Sequence, residues 1–121
     1  MELQRIGCNF SVCKIARIED IDFSREYVFL SKTSDEISLV CETEHTPPDV
    51  LASEPNWRAL KISGILDFGM IGVIAKISCI LAEAKISVFV VSTYNTDYIL
   101  MKSENFDSGV SALSSNGYAI I

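Results

Sequence analysis

Apolar and polar side chains alternate along several segments in the first half of the chain, a pattern typical of half-buried β-strands. The alternation predicts strands over residues 10–15, 27–32 and 36–42. Turn-forming residues at 33–35 predict a hairpin between the last two strands. The prolines within residues 45–49 stop any strand, so we expect a loop or short helical turn as far as residue 54. This loop is the only plausible subdomain boundary.

In the second half of the chain, the spacing of the apolar residues alternates between that of a strand and that of a helix. It predicts a strand at 57–63, a glycine-containing loop, a helix at 71–84, strands at 86–94 and 97–102, a helix at 104–115 and a strand at 118–121. Ser103 can cap the second helix, and Gly117 follows its last turn. The order βαββαβ predicts an α+β, ferredoxin-like unit, preceded by a mostly β N-terminal unit.

The two middle strands of this unit form a predicted hairpin. A two-residue loop at Asn95 and Thr96 sets Tyr94 opposite Asp97. Tyr94 and Asp97 are then expected to be neighbours on one face of the sheet.

The strand at residues 86–91 is apolar on both faces, whereas a strand with helices on one side and water on the other would alternate. Something must cover its second face. The candidates are the N-terminal strands and another copy of the chain, and a small sheet often needs both. We therefore expect a homodimer.

One weak internal repeat links the two halves of the chain. Residues 31–40 resemble residues 92–101 when one residue is skipped, and both segments would be hairpins. Chance similarity between two hairpins and a decayed duplication explain this resemblance equally well.

Composition and charge narrow the classes of function. The 121 residues are 49% apolar and 21% charged, which is enough apolar surface to fold into one compact unit or two small subdomains. The net charge of -6 would repel nucleic acid and anionic lipid, so neither is an expected partner. No apolar run approaches the ~20 residues of a spanning helix, and no secretory signal is visible. We expect a cytoplasmic protein with reduced thiols.

Residues for catalysis or metal binding are few. The four cysteines, at positions 8, 13, 41 and 79, form no Cys-x-x-Cys pair, and they are interpreted as small buried structural side chains. The single histidine, His45, lies in the proline-rich loop near Glu42 and Glu44, where a solvated loop is the expected state. We therefore predict no catalytic residue, no metal site, no cofactor and no enzymatic activity.

A glycine-containing loop before the first helix is the clearest candidate for ligand chemistry. Gly69 and Gly72 allow close backbone approach, and the free amide groups at a helix start attract a carboxylate or phosphate. The loop lacks the Gly-Lys-Ser/Thr of a phosphate-binding loop and the third glycine of a dinucleotide fingerprint. Alternatively, the glycines only permit a tight turn and helix packing.

The polar hairpin tip at residues 92–97 is the second candidate. Such a tip is usually solvated, but Asp97 beside an aromatic ring could hold an ammonium or guanidinium group. Asp67, before the first helix, is another acidic candidate, although helix-end electrostatics explain it equally well.

Taken with these residues, the segment from 57 to 121 resembles the ACT domain, a small βαββαβ regulatory module that binds amino acids. The resemblance rests on residues 67–88, with Gly-Val-Ile-Ala at the first helix and Leu-Ala-Glu-Ala-Lys-Ile before the second strand. Lys85 stands where that family often has glycine. The tip sequence Ser-Thr-Tyr-Asn-Thr-Asp-Tyr-Ile-Leu resembles the sequence found in short bacterial proteins related to the cytosolic arginine sensors. Those proteins carry ACT-like units in tandem. Residues 1–56 would then be a degenerate ACT-like subdomain and residues 57–121 the ACT domain.

The resemblance also implies a ligand-binding site. Gly72 and Val73 would offer backbone amides to a ligand carboxylate, and Thr93, Tyr94 and Asp97 would line the pocket. Met70 would lie in the loop and add no second charge. Asp97 matches an acidic residue that holds the cationic end of the ligand in the arginine sensors, so arginine is allowed. A neutral amino acid, or no ligand, stays open.

Two functions follow from these observations. The leading hypothesis is a non-catalytic regulatory module that binds a free amino acid or similar small molecule, with its pocket at an interface between ACT-like units of a homodimer. The alternative is a protein–protein interaction or oligomerisation domain that has lost ligand binding. Such a domain would use an exposed sheet edge or the helix surface around Cys79 and Ile80.

Overall fold

The computed structural model describes all residues from Met1 to Ile121 and contains eight strands and two α-helices. In chain order they are β1 (Glu2–Arg5), β2 (Phe10–Ile15), β3 (Val28–Lys32), β4 (Ile37–Glu42), β5 (Ala52–Ile62), α1 (Val73–Glu83), β6 (Phe89–Ser92), β7 (Asp97–Lys102), α2 (Phe106–Ser115) and β8 (Ala119–Ile120). This mixture confirms the predicted α+β class.

The chain folds as two compact units whose division is discontinuous in sequence. The first unit comprises Met1–Gly7 and Arg58–Ile121, and the second comprises Cys8–Trp57. The first seven residues therefore lie in the unit formed by the C-terminal half, and not with the rest of the N-terminal segment. The long strand β5 passes from the second unit into the first between Trp57 and Arg58.

Strand β1, which the sequence pattern does not predict, is central to the first unit. It pairs antiparallel with β5, where Leu3 lies opposite Ile62, and parallel with β8, where Leu3 lies opposite Ile120. Strand β7 pairs with both β5 and β6. Leu3 is fully buried in the core, together with residues of β5, both helices and β7 that include Leu60, Ile77, Leu81, Ile99, Met101 and Leu113. Burial of these apolar side chains is the main stabilising contribution to the unit.

The start of β5 corrects the expectation of a loop as far as residue 54. The strand begins at Ala52, directly after a hydrogen bond from Leu51 N–H to Lys14 O of 2.8 Å. Ser53 and Glu54 lie opposite Cys13 and Val12 of β2. This long-range pairing with β2 gives residues 52–54 a strand conformation that their local sequence does not specify.

The ends of α2 are partly as predicted. The proposed cap at Ser103 is wrong, because a 3-10 turn covers Ser103–Asn105 and Asn105 precedes the helix without a side-chain cap. Gly117 follows the last turn with a φ of +92°, a left-handed conformation that glycine adopts without steric cost.

The β6–β7 hairpin has a register two residues away from the predicted one, because its turn lies one residue earlier in the chain. Ser92 lies opposite Asp97, and Thr93 N–H donates to Thr96 O at 2.8 Å, so Tyr94 and Asn95 form the turn. The expected pairing of Tyr94 with Asp97 is therefore wrong. Tyr94 therefore occupies the tip of the turn and is 80% exposed.

The second unit is built from antiparallel strands in the order β5–β2–β4–β3. Its core contains Cys13, Ile15, Ile21, Leu39 and Cys41. Short 3-10 turns, at Ile18–Asp20 and Thr43–His45, occupy the positions between strands where the first unit has α1 and α2.

The hairpins of the two units have the same local geometry. Thr33 N–H donates to Glu36 O at 2.9 Å, which repeats the bond from Thr93 to Thr96 at 2.8 Å. In each hairpin the second strand has six residues with the same order of half-buried and buried positions, and a 3-10 turn follows at once. The two segments align in this way without the skipped residue that the sequence comparison introduced.

The left-handed backbone conformation of Lys85, just after α1, can be tested by substitution. It has a φ of +63°, and its N–H donates to Ala82 O at 2.9 Å. A left-handed conformation strains any residue with a Cβ, so Lys85→Gly should raise the free energy of unfolding by about 0.5–1 kcal/mol after the entropy cost of glycine in the unfolded chain. Urea unfolding measures this change.

The matched control for this prediction is Glu83→Gly, at the last residue of α1. Glycine at a right-handed helical position should lower stability by about 1 kcal/mol. Equal destabilisation by both substitutions would contradict the assignment of strain to Lys85.

Candidate functional site

A cavity of about 390 Å³ lies in the first unit, within the size range of sites for small ligands. One wall is the loop between β5 and α1 together with the first turn of α1, and the other wall is the tip of the β6–β7 hairpin. The structure brings all six sequence-predicted ligand residues to this cavity: Met70, Gly72, Val73, Thr93, Tyr94 and Asp97. Their role in ligand binding stays a prediction.

The start of α1 presents backbone N–H groups to the cavity. Gly72 precedes the helix with a φ of +79°, and no side chain caps the helix. The first helical hydrogen bond runs from Lys76 N–H to Gly72 O at 3.0 Å, so the three N–H groups before Lys76 have no acceptor within the helix. Val73, Ile74 and Ala75 line the cavity. A carboxylate there would accept these N–H groups and gain from the helix dipole.

Two hydrogen bonds connect the hairpin tip to the loop after β5 and to the last residue of β5. Leu66 N–H donates to Asn95 O at 2.7 Å, and Thr96 Oγ1 donates to Ile62 O at 2.7 Å. Thr96 is 4% exposed, which makes it one of the few buried polar residues of the chain. Sequence reasoning missed this role, because a threonine in a polar tip has no local signal that distinguishes it from a solvated one.

An aromatic pair stands at the rim of the cavity. The rings of Phe68 and Tyr94 meet edge to face, with centroids 5.1 Å apart and planes at 87°. Both residues line the cavity, and they are 76% and 80% exposed. The sequence pattern did not single out Phe68, since its partner lies on a distant hairpin.

The cavity is acidic. Asp67 and Asp97 are its two charged lining residues, and no lysine, arginine or histidine lines it. The Asp67 carboxylate accepts the N–H of Gly69 at 2.9 Å, which shapes the loop. Asp97 is half-buried at the first residue of β7, opposite Ser92. Carboxylates in such a place can hold an ammonium or guanidinium group through charge-assisted hydrogen bonds.

Glu42, a candidate residue near His45, has structural partners. Glu42 Oε2 accepts the N–H of Tyr27 at 3.1 Å, and Glu42 Oε1 lies 3.9 Å from Arg25 Nη2. No group of three or more His, Cys, Asp or Glu side chains is arranged to hold a metal ion.

The cysteines differ in environment. Cys13 and Cys41 are buried, and burial, with the neighbouring Cys13 thiol as a second cause, raises the pKa of Cys41 to about 11. Cys41 is therefore a protonated, structural thiol. Cys79 is exposed on α1 and Cys8 is only half-buried, so the interpretation of all four cysteines as buried is wrong at these two positions.

The helix surface around Cys79 and Ile80, which the sequence suggested for docking, is only partly exposed. Cys79 is exposed, but Ile80 is only 9% exposed and packs in the core of the first unit, so Ile80 does not belong to a free surface. Neither helix has the length and apolar content that crossing a bilayer requires.

Comparison with known proteins identifies a family model that matches the chain and solved structures that are similar to it. A family model described as ACT domain matches residues 52–115, a little more than half of the chain. Protein Atu0741 from Agobacterium tumefaciens is 25% identical, with a TM-score of 0.86 over 99% of this chain and 91% of that one. No curated protein matches the chain by sequence.

Two further solved structures share the fold. Protein VC0802 from Vibrio cholerae, described as of unknown function and as a possible transport protein, is 19% identical with a TM-score of 0.72, over 94% of this chain and 88% of that one. The ligand-free regulatory subunit of aspartate kinase from Thermus thermophilus is 8% identical with a TM-score of 0.63, over 93% of this chain and 95% of that one.

Proposed function

This chain belongs to the ACT domain family, and on that premise we propose that it is a non-catalytic regulatory module that binds a free amino acid. The observation that carries the proposal is the cavity between the uncapped start of α1 and the β6–β7 hairpin tip. It combines N–H groups for a carboxylate with carboxylates for an ammonium group. A free amino acid presents both of these charged groups on one carbon atom.

The roles of the residues follow from this geometry. Gly72 and Val73 would present backbone N–H groups to the ligand carboxylate, while Asp97 would accept hydrogen bonds from a cationic group. Thr93, Tyr94 and Met70 would form the walls against which the rest of the ligand packs. The fold shared with the regulatory subunit of aspartate kinase supports a regulatory role.

The second unit is proposed to be a degenerate ACT-like unit, so that the chain carries two such units in tandem, as in proteins related to the arginine sensors. Its strands β5, β2, β4 and β3 follow the same order as β8, β5, β7 and β6 of the first unit, where β1 is inserted between β8 and β5. The repeated hairpin geometry supports this relation, and short 3-10 turns would replace the two helices.

A homodimer in the cytoplasm completes the proposal. Large apolar side chains near the cavity, including Ile65 at 78% and Ile71 at 95% exposure, favour coverage by a second copy. The four free cysteines fit a reducing compartment.

A panel of the standard amino acids tests ligand binding. At ten times its dissociation constant, a ligand that binds only the folded chain should stabilise it by about 1.4 kcal/mol, measured as an increase in melting temperature. No increase with any amino acid would reject the proposed function.

The Asp97→Ala variant separates this function from the second candidate, a protein-docking domain, which the exposed apolar side chains around the cavity favour. An amino-acid-binding module should lose its ligand response, whereas a docking domain should show no ligand response before or after the substitution. Asp35→Ala, at the tip of the equivalent hairpin of the second unit, is the control and should leave the response unchanged.

A further inference from the structure

We propose that Cys13 and Cys41 form a binding site for one Cu(I) ion, held between their two sulfur atoms. Cu(I) prefers soft sulfur ligands, and two thiolates are enough to bind it in a linear complex. Both cysteines belong to the second unit, so the proposal does not depend on amino-acid binding in the first.

The two cysteines lie on one face of neighbouring strands. Cys13 of β2 is opposite Leu39, and Cys41 of β4 is opposite Ser11, so the two thiols occupy diagonal positions. Both side chains are buried, at 2% and 4% exposure, in the same core cluster. The Cys13 thiol is a hydrogen-bond neighbour of the Cys41 thiol. The fold therefore brings the two sulfur atoms together.

A metal ion suits these positions better than a disulfide does. Diagonal residues of adjacent strands have Cα atoms about 7–8 Å apart. A disulfide needs Cα atoms closer than about 7 Å unless the backbone moves. A bridging ion replaces one S–S bond by two metal–sulfur bonds, which lengthens the link between the sulfur atoms. The strands β2 and β4 can then keep their observed pairing.

The number of ligands selects the metal. Structural zinc takes four ligands, and no third His, Cys, Asp or Glu is arranged to join the pair. On binding of Cu(I), each thiol releases its proton to solvent and two Cu–S bonds form. The oxidation state of copper does not change, and the complex carries one negative charge.

Hydroxyl groups beside both sulfur atoms can accommodate that charge. The Cys13 thiol donates to Ser53 Oγ at 3.7 Å, and the Cys41 thiol donates to Thr46 Oγ1 at 3.9 Å. Once the thiol protons have left, a hydroxyl can rotate and donate to the sulfur instead. Hydrogen bonds of this kind orient and support the ligands of a metal.

The pair is buried but close to the surface. A cavity of about 10 Å³, enough for a single small particle such as one water molecule, lies beside Cys41 and is also lined by Leu39 and His45. Ser53, which contacts Cys13, is exposed. An ion therefore has to pass only one layer of side chains to reach the two sulfur atoms.

Titration of the full, reduced chain with Cu(I) in the absence of oxygen tests the site, with a chelator of known affinity as competitor. The matched control is the double variant Cys8→Ser/Cys79→Ser, which keeps only the two proposed ligands. It should bind one Cu(I) per chain with the affinity of the unmodified chain. X-ray absorption spectroscopy should show copper with two sulfur neighbours.

The variants Cys13→Ala and Cys41→Ala each remove one ligand. Each should bind Cu(I) more than about a hundredfold more weakly, because groups that merely support a ligand already change affinity by about 10- to 100-fold. Circular dichroism establishes whether these variants fold. If one does not, Cys8→Ser/Cys79→Ser gives the answer alone, since it leaves the core of the second unit intact.

Three results would overturn the proposal. The first is that Cys8→Ser/Cys79→Ser binds no Cu(I), and the second is an unchanged affinity in folded Cys13→Ala. The third is a loss of two hydrogen atoms in place of a gain of copper, detected by mass spectrometry, which would show a Cys13–Cys41 disulfide. None of these results bears on the amino-acid binding proposed for the first unit.

Discussion

Leu3→Ala should lower the free energy of unfolding by about 2–5 kcal/mol, the usual effect of truncating a fully buried leucine. Leu3 lies in β1 between β5 and β8, and its side chain is 0% exposed in the core of the first unit. Alanine would leave a cavity that two hydrogen-bonded neighbouring strands cannot readily close. Urea unfolding monitored by circular dichroism measures the change.

The control is the same substitution at an exposed leucine. Leu51 is 62% exposed, so Leu51→Ala should change stability by less than about 0.5 kcal/mol. If Leu3→Ala has an effect as small as that of Leu51→Ala, β1 does not contribute to the core in the way the structure shows.

Thr96→Val should lower the free energy of unfolding by about 1–3 kcal/mol and weaken the response to amino acids. The substitution keeps the size and branching of the side chain but removes the donor of the 2.7 Å hydrogen bond to Ile62 O. Because Thr96 is buried, water does not readily replace the lost donor, and the Ile62 carbonyl stays unsatisfied. The hairpin tip would then be held less firmly against the loop that forms the other wall of the cavity.

Thr93→Val provides the matched control in the same turn. Thr93 Oγ1 donates to Thr96 O at 3.1 Å, but Thr93 is exposed and water can replace this bond. Because Thr93 lines the cavity, this control applies only to the unfolding measurement. Thr93→Val should change the free energy of unfolding by less than about 0.5 kcal/mol. Equal stability of the two variants would contradict the structural role assigned to Thr96.

The candidate site shows which of its residues can be recognised from local sequence alone. The glycine loop, the start of α1 and the polar tip could be selected from residue types alone, since glycine spacing and an acidic residue at a strand end have direct chemical meaning. Phe68 and Thr96 could not be selected in this way. Each acquires its role from a contact with a residue about 26 or more positions away, Tyr94 and Ile62 respectively.

The hairpin register illustrates the same limit. The prediction located the hairpin and the boundaries of β7, but it placed the turn at Asn95 and Thr96, one residue too late. Moving the turn by one residue changes the pairing by two residues and leaves every side chain on its face, so sequence periodicity does not detect the difference. The hydrogen bonds from Thr96 to Ile62 and from Leu66 to Asn95 hold the tip in the observed arrangement.

The sequence by itself determined the α+β class, the order of strands and helices from residue 57 onwards, and β2 with its observed boundaries, because these features depend on the local periodicity of apolar side chains. Only the tertiary structure decided that β1 joins the C-terminal unit, that β5 begins at Ala52 and that Tyr94 meets Phe68. Backbone pairing and side-chain contacts between distant segments produce all three, and no short stretch of sequence encodes its distant partner.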